Sequence, residues 1–514
     1  MQSSKNYIEI LQEITKEELF DGLLGYGMFA DKVPPFLTSE SFLKFCKNPP
    51  RGFTFENTIR KYIIYESLRN INIPRKLSIP NPIAYRNQCK KLSDYWDELL
   101  NHFRNKTKDN KHKISRIHIR KIKDSLKLFE MNYKNYKTDD YPEPKLLIGK
   151  TYMVKADISN FFPSIYSHAL SWAIDGKENA KKNKNNKDKW YNEIDEVRRN
   201  INYGETHGIL IGPHSSNLIS EIILVCIDDV LSKEYDYIRN IDDYICYVES
   251  MEKAEKFLID LSTELKKYNL TLNHKKTEIL ELPLASSEHW VRKLNTFVFL
   301  DKEKINLKEV RAFLDIALDL MKKNKDNAAI LNYAIKVLSK KEKYMTLKAK
   351  EYFIDTIHHL VLIYPYLVTI LDKNVFEAYN IEVNRIEKIA KDIFNIGYKK
   401  KLFEAMSYAV YFSIKYDFKI DDNLFDVAKN SYDSIFMLLA YLHDKKFSEV
   451  KKFNNSDIGK KYKELAKNLL DDIDEYWVFV YEILNKELLK NEWKVMKRNN
   501  VSFIKKNFIY KVST

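Results

Sequence analysis

The sequence predicts a mixed α/β region over residues 1–300 followed by an all-helical region over residues 301–514. Proline gives the first sign of this division. Pro74, Pro80, Pro82, Pro142, Pro144, Pro163, Pro213 and Pro283 punctuate the first part, whereas Pro365 stands alone in the second. The second sign is an order of strand, helix, hairpin, helix and strand that begins near Tyr152 and ends just after Lys276. The third is apolar spacing at the helical period: Phe313, Leu314, Ala317, Leu318 and Met321, then Ile330, Leu331, Ala334, Ile335 and Leu338.

Further helical blocks fall near 347–363, 401–414, 424–441 and 472–489. Short helices joined by short polar turns favour antiparallel pairs stacked as a helical-repeat, HEAT-like α-solenoid, although no fixed period is visible. A chain of 514 residues exceeds one compact core, so two or three domains are expected, with an N-terminal extension over about residues 1–50.

Hydrophobic residues make up 45% of the chain and aromatics 13%, which excludes a disordered class. Lys and Arg number 86 against 72 Asp and Glu, and the resulting +14 favours polyanionic partners, with plain solubility as the alternative. The excess is concentrated from Arg104 to Lys123 and from Lys486 to Lys511. Lys181 to Lys189 reads as an exposed polar loop.

Cys46, Cys89, Cys226 and Cys246 lack the paired spacing of a zinc site or a disulfide framework. No secretory segment and no apolar run of membrane-spanning length is present, so a cytoplasmic protein without a membrane partner is expected.

Chemistry is concentrated in three segments. The run from Tyr152 to Ile165 places Asp157 at the end of a strand, before a turn through Ser159, Asn160 and Pro163. The run from Gly208 leads through Pro213 into a helix whose apolar stripe includes Leu218, Ile219, Ile222, Ile223 and Cys226, with Ser215 or Ser216 as the natural N-cap and an amino end able to meet phosphate. The run from Tyr235 to Val248 sets Asp242 and Asp243 at or beside a hairpin turn. Each alone has a plain explanation as a capping or turn residue. The Asp pair resists that explanation, because adjacent carboxylates beside apolar strands repel unless a cation neutralises them.

Taken together, these segments resemble the fingers and palm of reverse transcriptases. Asp157 to Phe162 resembles their first catalytic motif, Gly212-Pro213-His214-Ser215-Ser216 their helix-opening motif, Asn240-Ile-Asp242-Asp243 their hairpin motif and Lys276-Thr277 the lysine motif that follows. Arg75 to Pro82 resembles the fingers strand of bacterial members.

The resemblance implies a DNA nucleotidyltransferase with two Mg²⁺ or Mn²⁺ ions at Asp157, Asp242, Asp243 and the Ile158 carbonyl. It further implies nucleotide contacts through Phe162 beneath the sugar, Ser215, Lys276, Arg75 and Lys76.

Two departures refine it. His214-Ser215 stands where Gln-Gly is usual, and Asn240 where Tyr is usual. A helical region of about 210 residues begins near Asp301, where a compact thumb normally follows. That combination resembles the abortive-infection (Abi) group of bacterial reverse transcriptases.

For that group the implied activity is template-independent synthesis from deoxynucleoside triphosphates, primed from a protein hydroxyl. The single-stranded DNA product stays covalently attached, and the assemblies are homo-oligomers. The priming residue is unknown, and Tyr7, near the N-terminus, is a guess. The helical region is expected to pack against the palm in place of a thumb. The alternatives are a templated RNA-directed polymerase of the retron or intron-maturase kind, or a non-catalytic nucleic-acid-binding scaffold.

Overall fold

Alternating apolar residues generate the strands, and the turn residues between them set the register. The computed structural model describes residues 5–70, 73–116, 119–122, 125–128, 143–284, 289–297, 304–450 and 452–508. The expected boundary at 300/301 lies outside the described residues, as does the end of the basic C-terminal tail.

Strands β1 (Tyr62–Ser67) and β2 (Arg75–Pro80) form a two-stranded antiparallel ribbon. The remaining strands, β3 (Tyr152–Asp157), β4 (Asp236–Asn240), β5 (Asp243–Val248) and β6 (Glu278–Glu281), make an antiparallel sheet in the order β4-β5-β3-β6. The helices His214–Leu231 and Met251–Lys267 connect them as the sequence suggests.

Gly212 shows why glycine opens the first of these helices. Its φ of +132° suits no L side chain, and an added Cβ would lie 3.1 Å from the Ser78 carbonyl oxygen of β2. The Ile211 carbonyl accepts from the Ser78 N–H at 2.7 Å, so the fingers ribbon is anchored at this point.

From Lys304 onward, every named element among the described residues is helical. Leu307–Lys323 packs on Ala328–Lys340 and Leu347–Ile363, Val383–Lys400 on Phe403–Tyr416, and Ser434–Lys446 on both Phe403–Tyr416 and Ile473–Ile483. A π-helical turn, Asp372–Glu377, interrupts the series. No helix is long and apolar enough to cross a membrane among the described residues. All four cysteines are buried thiols.

The helical half meets the first part of the chain at several places. It clasps the fingers ribbon and the N-terminal segment, and its first two helices also pack on His289–Thr296. A two-stranded ribbon is marginal alone, and Ile63, Tyr65, Leu77 and Ile79 supply an apolar face that needs cover. Helices Phe403–Tyr416 and Ile473–Ile483 provide it, extending one hydrophobic core through both halves.

Polar groups fix the docking. Glu404 accepts the Leu68 N–H at 2.6 Å and the Tyr65 hydroxyl at 3.3 Å. Asn81 donates to Asp474 at 2.7 Å, and the Thr38 N–H donates to the Phe503 carbonyl at 2.8 Å.

Burial raises Glu404 from 4.5 to about 7, against the opposing pull of the Leu68 N–H. Between those values the unfolded chain releases the proton more readily, so stability falls as pH rises through this window, by up to about 3 kcal/mol. Glu404→Gln is expected to make stability fall less steeply in urea titrations from acid to neutral pH. An unchanged pH dependence would count against this assignment.

Candidate active site

Register brings the carboxylates together. Asp157 ends β3 directly opposite Asp243, the first residue of β5, and Asp242 occupies the two-residue turn between β4 and β5. The turn is strained: Ile241 has a φ of +56°, a region β-branched residues avoid at a cost of about 1–3 kcal/mol. Ile158 then crosses back, its N–H donating to the Asp242 carbonyl at 3.3 Å.

Asp157 is buried, and both of its oxygens are engaged. Asn273 Nδ2 donates to Oδ1 at 2.9 Å, and Lys276 Nζ donates to Oδ2 at 2.7 Å. The Asn273 N–H also donates to the Asp157 carbonyl at 2.7 Å, which fixes the segment before β6 against the end of β3. Asn273 was not singled out by sequence; its position three residues before Lys276 was the available signal.

Crowding shows in the acidities. Burial, with the charge of Asp157, raises Asp242 above its ordinary value. Desolvation and the carboxylates of Asp242 and Asp157 push Asp243 up to about 7, although its side chain reaches solvent. Its hydrogen bond with Asp157 and the charge on that residue push Lys276 upward, so its ammonium persists.

Among the described residues no group of three or more His, Cys, Asp or Glu converges in metal-binding geometry. The donor chemistry nonetheless fits a hard divalent cation: carboxylate oxygens crowded enough to resist ionisation, with an ammonium already drawn to one of them.

The other expected nucleotide contacts divide. Arg75 is exposed, and its charge acts on Asp242. Lys76 is exposed too, but strand alternation puts it on the other face of the ribbon, with Ser78. Phe162 is half-buried beside Phe161, their ring centroids 5.3 Å apart.

Ser215 is a correction. It is fully buried and donates to Gln88 at 2.7 Å, so it faces the core and neither caps the helix nor reaches a nucleotide. The helix begins at His214 after Pro213, and the His214 N–H donates to the Gly27 carbonyl at 2.9 Å. The chain around Gly27 thus covers the amino end that was expected to meet phosphate.

Tyr7 is a second correction. It lies in the core, 8% exposed, with its hydroxyl donating to Glu221 at 2.9 Å. Burial and the Glu221 carboxylate hold its phenol well above the usual range, opposite to what a priming hydroxyl needs.

That contact leads to a network the sequence did not reveal. Arg239 of β4 is wholly buried and donates through Nη1 to Glu221 at 3.1 Å and through Nε to Asp228 at 3.0 Å. Nη1 also donates to the Ile241 carbonyl at 2.9 Å, so the guanidinium ties the turn carrying Asp242 to the His214–Leu231 helix. Tyr237 completes the set by donating to Asp228 at 2.8 Å.

Breaking a buried pair leaves uncompensated charge at about 3–5 kcal/mol. Arg239→Met, which strands Glu221 and Asp228, is therefore expected to lose about that much stability in urea denaturation. A loss below about 1 kcal/mol would remove Arg239 as the anchor of the turn.

Residues 80–300 match the profile of the family described as reverse transcriptase (RNA-dependent DNA polymerase). No curated protein matches the chain.

Among solved structures, apo telomerase from Candida tropicalis lacking its C-terminal domain is 16% identical, with a TM-score of 0.28 over 45% of this chain and 51% of that one. The fuller apo telomerase from Candida tropicalis is 13% identical, with a TM-score of 0.31 over 82% and 73%. Telomerase from Candida albicans with a fragment of telomeric RNA is 12% identical, with a TM-score of 0.28 over 69% and 65%. The chain thus spans about half the length of the first of these. Residues 80–300 of this chain are a reverse transcriptase domain.

Proposed function

We propose that the chain is an anti-phage abortive-infection polymerase that makes DNA from deoxynucleoside triphosphates without a template, primed from a hydroxyl of its own. The observation that carries the catalytic part is the meeting of Asp157 and Asp243 across β3 and β5 with Asp242 on the adjoining turn. Asp157, Asp242, Asp243 and the Ile158 carbonyl would hold Mg²⁺ or Mn²⁺ in a two-metal-ion mechanism. When bound, such ions supply Lewis-acid activation of the attacking hydroxyl and neutralise charge on the departing pyrophosphate.

The protein's own groups do the rest. Lys276 Nζ, kept protonated by Asp157, hands a proton to the pyrophosphate oxygen as its bond to the α-phosphorus breaks. Arg75 holds the triphosphate from the fingers ribbon, and Phe162 closes the space below the 2′ position of the sugar.

The helical half supports the template-free part of the reading. In this reading helical repeats stand where a thumb would follow, and the contact of helices Phe403–Tyr416 and Ile473–Ile483 with the fingers ribbon supports it. A growing end without a gripped duplex dissociates between additions unless it is tethered, and covalent attachment raises its local concentration. The attached product is single-stranded, and the active assembly is a homo-oligomer. Tyr7 does not serve as the primer, whereas Tyr203, Tyr398 and Tyr432 are exposed.

The purified chain, incubated with labelled deoxynucleotides and Mg²⁺ but no nucleic acid, is expected to give label that migrates with denatured protein and is released by protease. Label that requires an added primer and template, and separates from denatured protein, would return the chain to the templated reverse transcriptases. Asp242→Asn is expected to lower incorporation at least about 10²-fold with the fold intact. Phe162→Ala is expected to admit ribonucleotides; unchanged sugar selectivity would show that Phe162 does not lie under the sugar.

A further inference from the structure

The basic run around residues 104–123 is only partly open to a polyanion, with Arg104, Lys108 and Lys111 exposed. Lys106 pairs with Asp229 at 3.0 Å, Arg116 with Glu143 at 3.5 Å and Lys121 with Glu18 at 2.7 Å, and Arg116 and Arg120 are buried. In the C-terminal tail, Lys497 is turned inward onto the carbonyls of Tyr481 and Glu482. A further group of exposed cations lies where the fingers ribbon meets the helical half.

Two cavities lie end to end there. The first, about 360 Å³, is bounded by Arg75 and Leu77 of β2 and by Lys32 and Asn332. The second, about 600 Å³, extends to Tyr364, Lys400, Lys401 and Phe403. Leu68, Arg69, Asn70, Asp326 and Tyr366 line both, so the two form one groove. At its inner end stands Arg75 of β2, whose charge reaches Asp242.

Arg69, Arg75, Lys400 and Lys401 are all exposed. Glu66 and Asp326 are the acidic side chains lining the groove among the described residues, so cations predominate. Asn70 donates to the Asp326 carbonyl and joins the two walls. Aromatic rings alternate with these charges: Tyr364 and Phe403 are half-buried, and Tyr364 lies 6.2 Å from Tyr366 between centroids. Cations for phosphates interleaved with faces for bases suit an unpaired strand, because a duplex hides its base faces.

We propose that this groove binds the single-stranded DNA leaving the carboxylate site; the inference rests on the DNA synthesis proposed above. Phosphates lie along Arg69, Lys400 and Lys401, and bases stack on Tyr364 and Phe403.

The test is fluorescence anisotropy of a labelled oligothymidylate with a 3′-dideoxy end, which binds but cannot be extended. Arg69→Glu with Lys400→Glu is expected to weaken binding about tenfold or more near 0.1 M salt, and to flatten the log–log salt slope by about 1.4 for two lost phosphate contacts. Tyr364→Ala is expected to cost about fivefold or more with the salt slope unchanged. Should the charge reversal disturb the melting temperature, Arg69→Gln with Lys400→Gln serves in its place.

Wild-type affinity in the groove variants, or equal binding of duplex DNA, would overturn the groove. In that case undiminished nucleotide incorporation would leave the polymerase reading standing. Groove-dependent binding by a protein that incorporates no nucleotide would uphold the groove while removing the polymerase reading.

Discussion

Mutual repulsion of three carboxylates at one end of a sheet is the constraint on which the rest of this structure turns. Burial and the charges of their neighbours together raise Asp242 and Asp243 above their ordinary values. The backbone imposes their meeting by pairing β3 with β5 in a register that sets Asp157 against Asp243. The turn that carries Asp242 accepts a left-handed Ile241, and Arg239 holds it from behind. The guanidinium is itself satisfied by two acids of a neighbouring helix, so sheet and helix are tied by charge as well as by packing. Lys276 relieves part of the repulsion from the open side.

The fingers ribbon presents a different difficulty, since two strands alone cannot bury the surface they expose. In this chain helices from far along the sequence cover it. The end of β1 delivers the Tyr65 hydroxyl and the Leu68 N–H to Glu404, and the C-terminal segment returns to pair Ile504 with Leu37. The ribbon is therefore clamped between the reverse transcriptase domain and the helical half, and a cationic, aromatic groove follows the seam between them. Covering the ribbon and creating the groove are consequences of one packing arrangement.

Much of the sheet was legible in the sequence because alternation and turn chemistry are local. Tyr152 to Asp157 reads as a strand ending in a carboxylate, and the Asp pair reads as a hairpin turn; both are found in those places. The helical spacing after residue 304 was equally local.

What failed depended on partners remote in sequence. Ser215 looked like a cap until Gly27 covered the helix end and Gln88 took its hydroxyl. Tyr7 looked terminal, and therefore free, until Glu221 proved to be its partner. The Arg239 network left a trace that could have been read: Glu221 and Asp228 stand seven residues apart within an apolar helix, a spacing that puts both on one face and demands a buried cation. Nothing local identifies which cation supplies it.

The central claim is that these carboxylates form a cation site. Mn²⁺ binding to the protein, followed by electron paramagnetic resonance without nucleotide or nucleic acid, tests it directly. The account predicts saturable binding by the wild type that is lost in Asp157→Asn and restored toward wild type by no change outside the three carboxylates and their supports. Equal Mn²⁺ affinity in the wild type and in Asp157→Asn, with the fold intact, would contradict it.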